Sequence, residues 1–556
     1  MMLLRHLALV LLLVNNVIAK KKSSTVKAGR RFLEIHPPPI DLGAFPADYL
    51  PIPSGPCDTE APYRTIDGSC NNLDFPTWGQ ARIPFIRFIP PDYADGVDAP
   101  RARKDGSPLP NARIVGLAIN EDLPVETPFF TTLFIMWGQF INHDINNKLE
   151  SKGKIQYKKC IVTNFQMILD VISIAAMDGS DLNCCFPDET PNLDPGCMPI
   201  LLTKNDPFFS QFGRGCMHMA RSAAFPSPYI GIKSLKQQNR YRENINNNSA
   251  FIDASTLYGS DAIQAADLRT FKKGLMRSMD VPVGKPVLPL TGTSIACVSI
   301  TGACYLTGDF RANMLPPLTA LHIMLMREHN RIATELNRLN PHWQDDRLYQ
   351  ESRKIVSALV QHITYNEYLP LVLSPEYLKV FDLFVEKYGY YKGYDPTINP
   401  SIDNAFAAAA YRFGHSLIQG SFHRYQPNHK KIPKAAPPLG LELREPLAIF
   451  NGELDKIAIG LTNQRSRERD QHFTTQVVTN YLFLNRTLGI GSGLDLLAIN
   501  INRGRDNGIP GYNDWREYCG VGRIRTFDDL YGVMPERVIH TFAELYWYEI
   551  RALANI

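Results

Sequence analysis

Residues 137–145 read WGQFINHDI, and the stretch sets Gln139, Asn142, His143 and Asp144 on a single helical turn after the apolar run Phe134-Ile135-Met136. Four-residue spacing puts Gln139 and His143 on one helix face. Such a polar cluster inside an apolar helix is an exception to ordinary core composition and marks where chemistry is to be sought. A histidine there is either a hydrogen-bonded core residue or a group that exchanges protons, and the spacing leaves both open.

The same helical period extends outward along the chain. Phe129 to Ile145, Leu318 to Leu339, Arg347 to Leu373, Ala405 to Phe422 and Phe473 to Leu484 all repeat apolar residues at three and four. Strand-like alternation is scarce, and loops rich in Pro, Gly, Asn and Asp divide the helices. The expected class is mostly α with little β, as one large domain over residues 57–556, because no repeat or low-complexity linker follows residue 60.

The amino terminus has a different character. Arg5 and His6 precede the apolar run Leu7 to Val14, and Val17-Ile18-Ala19 stands before Lys20. A positive start, a short apolar run and small residues predict a secretory signal peptide over 1–19, the run being shorter than the ~20 residues of a bilayer span. A basic, proline-rich lead-in or pro-segment is expected over 20–56. The chain is thus expected to be secreted, with no membrane segment after cleavage. Its 59 basic and 55 acidic residues give a net charge of +4, which makes no case for nucleic acid. Ten cysteines without a C-x-x-C pair favour disulfides over a zinc knuckle.

Two further stretches stand out. In Ala405 to Leu417, AFAAAAYRFGHSL, small residues let something large approach His415: a planar cofactor between two helices, or a tightly packed neighbouring helix. In SAFIDAS, residues 249–255, an extended backbone would point Ser249, Phe251, Asp253 and Ser255 one way. Their hydroxyl, carbonyl and carboxylate oxygens suit calcium, with Asp144 completing the set, or else cap a turn.

Six motifs in order, YRTIDGSCNN (63–72), MWGQFINHDI (136–145), FIDASTLYGS (251–260), REHNRIATEL (327–336), YRFGHSLIQ (411–419) and INRGRDNGIPGYNDWR (501–516), resemble the animal haem peroxidase family from about Cys57 onward. The resemblance implies a mainly helical fold with haem b between a distal and a proximal helix, and hydrogen peroxide as oxidant. It makes His143 the distal base that moves a proton between the peroxide oxygens, with Gln139 hydrogen-bonding the peroxide. Arg311 stabilises the developing anion. His415 becomes the proximal iron ligand and Asn500 the acceptor of its other N–H, with Arg412 and Arg503 near the propionates. It also implies a calcium site of Asp144, Ser249, Phe251, Asp253 and Ser255. Bridges Cys57–Cys70 and Cys297–Cys304 are implied, with two more among Cys184, Cys185, Cys197 and Cys216.

The chain departs from the family pattern in three places. Relatives esterify the haem through an Asp just before the distal histidine and a Glu three residues after the distal arginine, positions held here by Asn142 and Met314. Neither can form an ester, so non-covalent haem is expected, favouring phenolic or tyrosyl donors over halide. Residues 148–173 look like an insertion carrying the unmatched Cys160, and the family domain is expected to continue past Ile556, leaving Cys519 over. Asn485-Arg486-Thr487 is an expected glycosylation site. The leading expectation is a secreted peroxidase that oxidises phenols for matrix or cuticle cross-linking; the rival is a non-catalytic adhesion protein or incomplete product.

Overall fold

The computed structural model describes residues 56–151, 182–225, 241–292, 297, 302–450, 452–486 and 488–546. The expected signal peptide, nearly all of the lead-in, residues 152–173 of the expected insertion with Cys160, and residues 547–556 lie outside them.

The helices that shape the core are α1 (Ala112–Ile119), α2 (Thr132–Ile145), α3 (Pro316–Leu339), α4 (Asp345–Ile363), α5 (Asn404–Ala408), α6 (Glu453–Asn463), α7 (Leu496–Asp506) and α8 (Glu536–Leu545). Short antiparallel ladders surround them, the largest being three-stranded, with Glu243–Asn246 between Ile83–Pro84 and Ala224–Phe225. The mainly helical expectation stands.

α2 runs through the main core, with Met136 and Phe140 fully buried beside Leu318 and Ile323 of α3 and Phe406 of α5. It starts at Thr132 rather than Phe129, because Glu126–Thr131 pairs as a strand with Arg465–Arg467. That partner is more than 300 residues away in sequence, beyond what local periodicity can register. α3 opens with Pro316 and Pro317, whose missing N–H groups cost nothing in the first turn.

The expected helix over 347–373 is nearly continuous but widens into a π turn, Thr364–Tyr368, just before Pro370, which cannot donate to the helical ladder. The expected helix over 405–422 is much shorter. It breaks at Ala409, tightens into the 3-10 turn Ala410–His415, and ends there. Beyond it the Leu417 carbonyl accepts from Arg467 N–H, so this backbone serves another segment. Of the helix expected over 473–484 only a π turn, Thr475–Asn480, forms.

A second core joins α1, α7 and α8 through Val115, Ala498 and Phe542. Its polar pin is Arg113, 2 % exposed, whose Nε meets Asp206 at 2.9 Å and whose Nη1 meets Asp495 at 2.8 Å. Asp495 also caps α7 by accepting from Leu497 and Ala498 N–H. The bridges Cys57–Cys70, Cys184–Cys197, Cys185–Cys216 and Cys297–Cys304 tie down the loops. Cys519 is buried as a free thiol, its pKa pushed up to about 12 by burial. Replacing Arg113 by Ala leaves two carboxylates buried without their cation, and the expected destabilisation of about 3–5 kcal/mol is measurable by denaturant unfolding.

Candidate active site

The end of α2 forms one wall. His143 is 4 % exposed, and its Nδ1 is buried with no hydrogen-bond partner. Its own carbonyl accepts from Asn248 Nδ2 at 2.6 Å and from Arg311 Nη2 at 3.2 Å, which fixes the backbone beneath the ring. Burial, then the Arg311 charge, hold the imidazole well below its usual pKa, so it is a neutral proton acceptor at physiological pH. Gln139 lies one turn back and is half-buried.

Arg311 enters from the 3-10 turn Phe310–Met314. Its Nε and Nη2 grip Asp309 at 2.9 and 2.5 Å, and Nη2 also donates to Asn146 O at 2.8 Å. Burial would raise the Asp309 carboxyl, but Arg311 outweighs it and holds the group far below the carboxylate range. The expected fixed charge is therefore half of an ion pair.

His415 is the last residue of the 3-10 turn, which packs against α2. Its Nδ1 lies 2.9 Å from Asn500 Nδ2, while Asn500 Oδ1 accepts from Arg412 Nη1 at 2.7 Å. The pair forms as expected, but with the opposite polarity: the amide nitrogen faces the histidine, because the guanidinium takes its oxygen. Burial and then Arg412 pull the His415 pKa down to about 3, so the ring is neutral, as a metal ligand must be.

Positive charge gathers at one side. Arg412 keeps a buried Nε without a partner, and burial with the charge of Arg503 takes its pKa down to about 10. Arg503 itself is engaged by Glu150 at 2.8 Å and Asp506 at 3.3 Å. Lys148 joins them: burial, then Arg87, Arg412 and Arg503, hold its ammonium well below the usual range, and Nζ donates to Asn404 Oδ1 at 2.5 Å. Buried cations in excess call for an anionic group, such as carboxylates of a bound cofactor. Lys148 was missed from sequence because it stands at the mouth of the expected insertion; its place five residues after His143 was the available signal.

The positions that would carry esters hold neutral side chains. Asn142 Oδ1 accepts from Asn146 Nδ2 at 2.6 Å, and Met314 packs against the main core. Behind α2, Asp144 and Asp253 are buried together at 0 % and 3 % exposed. Ser255 bridges them, its N–H donating to Asp253 and its hydroxyl to Asp144, while Ser249 Oγ donates to Asp253 Oδ2 at 2.6 Å. The Phe251 ring packs against Gly68 and Gly79, where a Cβ would come within 3.1 and 2.9 Å of it. Burial, then the neighbouring Asp253, raise the Asp144 pKa well above its usual value. Two carboxylates that repel each other in a buried oxygen-rich loop fit a hard cation, although among the described residues no three His, Cys, Asp or Glu side chains cluster around one point.

Sequence reading thus named both histidines, Arg311 and Asn500; the structure joins Arg311 to the His143 carbonyl and Asn500 to the His415 ring. Sequence reading missed Asp309 and Asn248, which hold Arg311 and the His143 carbonyl; GDFRANM offered Asp309 directly.

Comparison with known proteins identifies the family. The family model described as animal haem peroxidase matches residues 63–553. The chain is 36% identical to the chorion peroxidase of Aedes aegypti over 86% of its own length and 57% of that protein. It is 36% identical to the peroxidasin homolog of Mus musculus over 86% of this chain and 31% of that one. It is 34% identical to the thyroid peroxidase of Sus scrofa over 84% and 49%. The chain thus spans about half or less of the length of these curated relatives. Among solved structures, peroxidase A of Dictyostelium discoideum superimposes with a TM-score of 0.70 at 24% identity, over 89% of this chain and 85% of that one, a likeness of fold. With a family model covering nearly all of the described residues, the chain belongs to the animal haem peroxidase family.

Proposed function

We propose that this chain is a secreted haem peroxidase that uses hydrogen peroxide to oxidise phenolic donors such as tyrosine. The observation that carries the reading is a pair of buried, neutral histidines on two elements that pack together, His143 with an unpartnered Nδ1 and His415 held by Asn500. The residues fit haem b: the unpartnered Arg412 Nε and the surplus of buried cations suit its propionates. When bound, haem supplies the redox chemistry. His143 accepts a proton from one peroxide oxygen and returns it to the other as the O–O bond breaks, Gln139 orients the peroxide, and Arg311 offsets negative charge on the leaving oxygen. His415 would hold the iron, with Asn500 beside its Nδ1 to fix the ring, and Arg412 would be available to a propionate.

Asn142 and Met314 support non-covalent attachment, and with it oxidation of phenols rather than halide. Asp144, Ser249, Phe251, Asp253 and Ser255 would hold calcium, fixing the end of α2. Extracellular export is supported by the disulfides, which persist in oxidising compartments, and by the signal-like residues 1–19.

Haem should leave the protein into acidic organic solvent; haem that stays with the polypeptide overturns non-covalent attachment, and protein purified with no haem overturns the enzyme reading. Replacing His143 by Leu should slow reaction with peroxide by roughly 10²–10⁴-fold while leaving haem absorption in place. Because the His143 pKa is lowered, its basic form persists as pH falls through 6.5; stopped-flow rates should stay level there and fall only in stronger acid, where the ring gains its proton. Calcium should raise the melting temperature, by an amount set by its concentration over Kd. Asp253→Asn should abolish that shift, and an unchanged shift removes Asp253 from the ligand set.

A further inference from the structure

A line of tyrosines leads from the walls of the cavity to the surface. Tyr411 stands four residues before His415, and its hydroxyl donates to Tyr368 Oη at 3.2 Å. Tyr368 Oη lies against Gly138, where a Cβ would come within 2.6 Å of it, beside Gln139. The pair is buried and joins the wall carrying His415 to the wall carrying Gln139. Burial raises both phenols, so each keeps its proton until it loses an electron. Tyr365 lies one turn earlier in the π turn Thr364–Tyr368 and packs against the main core. Its other side lines a surface cavity of about 570 Å³ with Tyr390, Tyr391 and Tyr394. Burial, then Tyr391, push the Tyr365 pKa up to about 12, and the Tyr391 hydroxyl is hydrogen-bonded to the Asp382 carboxylate.

The outer end of this line is the stretch 387–394, KYGYYKGY. Tyr388 and Tyr390 are each 92% exposed, and Tyr391, Tyr394, Phe384 and Val385 also reach solvent. Side chains that exposed contribute nothing to the core, and phenylalanine would fill the inner positions without burying two hydroxyls. We propose that Tyr411, Tyr368, Tyr365 and Tyr391 form an electron relay, and that the 388–394 loop is a cross-linking site joining two copies of this chain through a bond between tyrosine rings. The inference rests on the peroxidase reading above, with hydrogen peroxide as the oxidant.

The balance closes. Each of two surface tyrosines passes one electron inward along the relay and releases its phenolic proton to solvent or, at Tyr391, to Asp382. The two rings join by one carbon–carbon bond ortho to the hydroxyls, and the ring hydrogens displaced there return to the oxygens. Hydrogen peroxide takes up two electrons and two protons and leaves as two waters. A second copy suits the loop because it carries both charges, Lys387 and Lys392 beside Asp382 and Glu386, all exposed. Such a patch can pair with itself across a two-fold axis.

The test uses the full haem-loaded protein with hydrogen peroxide and no added donor. Reductant-resistant dimers are expected, with the linked peptides mapped by mass spectrometry to Tyr388–Tyr394. Replacing Tyr388, Tyr390, Tyr391 and Tyr394 by Phe should remove that link. Tyr368→Phe should cut it several-fold, and with it the nitroso spin-trap adducts on the loop, while a small phenol is oxidised as before. No dimer, or a link mapped elsewhere, overturns the cross-linking site; undiminished linking in Tyr368→Phe overturns the relay. A protein that lacks haem or leaves small phenols untouched overturns the peroxidase reading and this inference together, whereas phenol oxidation without the link overturns this inference alone.

Discussion

The site depends on the anchoring of Asp144. Adjacent residues on a helix point about 100° apart, so fixing Asp144 among its buried partners fixes the His143 ring on a different face of α2. Asp144 is fixed thoroughly: its two oxygens accept from Ala254 and Thr256 N–H at 3.1 Å each, and its carbonyl accepts from Ser255 Oγ at 2.9 Å. Ala254 takes a left-handed backbone, φ 61°, to present those donors. Strain at a non-glycine residue persists only when its surroundings hold it, and here α2 and α3 do so together. Thr256 Oγ1 reaches His322 of α3 at 3.0 Å. The loop 249–256 is therefore a positioning device for the end of α2 that carries His143.

Electrostatics sorts the interior into neutral rings and paired or unpaired charges. His143 and His415 lose their protons to burial and to nearby guanidinium groups. Arg311 is balanced by Asp309 and Arg503 by Glu150 and Asp506, whereas Arg412 retains an unpartnered Nε. An unpaired buried cation is costly. Its location beside His415 thus reads as preparation for an anionic ligand.

Sequence carried the site better than it carried the helices. WGQFINHDI and the residues around Asn500 each sit in one helix, and YRFGH in one 3-10 turn, so their local spacing is kept in three dimensions. Helix boundaries did not survive, since Glu126–Thr131 and the residues after His415 are claimed by Arg465–Arg467, a partner no local window contains. The polarity of the Asn500 amide and the sharing of Arg311 with Asp309 were illegible for a related reason: both depend on which of several neighbours wins one hydrogen bond. The tyrosine line was invisible because Tyr365 with Tyr368, Tyr391, and Tyr411 lie on three separated segments and meet only through the fold.

Asn142 is more than a lost ester. Its side-chain oxygen holds Asn146 Nδ2, and the Asn146 carbonyl holds Arg311 Nη2. The amide therefore takes part in placing the guanidinium through one intervening residue. An aspartate esterified to a cofactor would offer only a weak acceptor to Asn146, and a free aspartate would bring a second negative charge toward the Asp309–Arg311 pair. In this chain the Asn142 carboxamide ties the end of α2 to Arg311 through Asn146. Asn142 and Arg311 are thus one mechanical unit, and a substitution at either is felt at both.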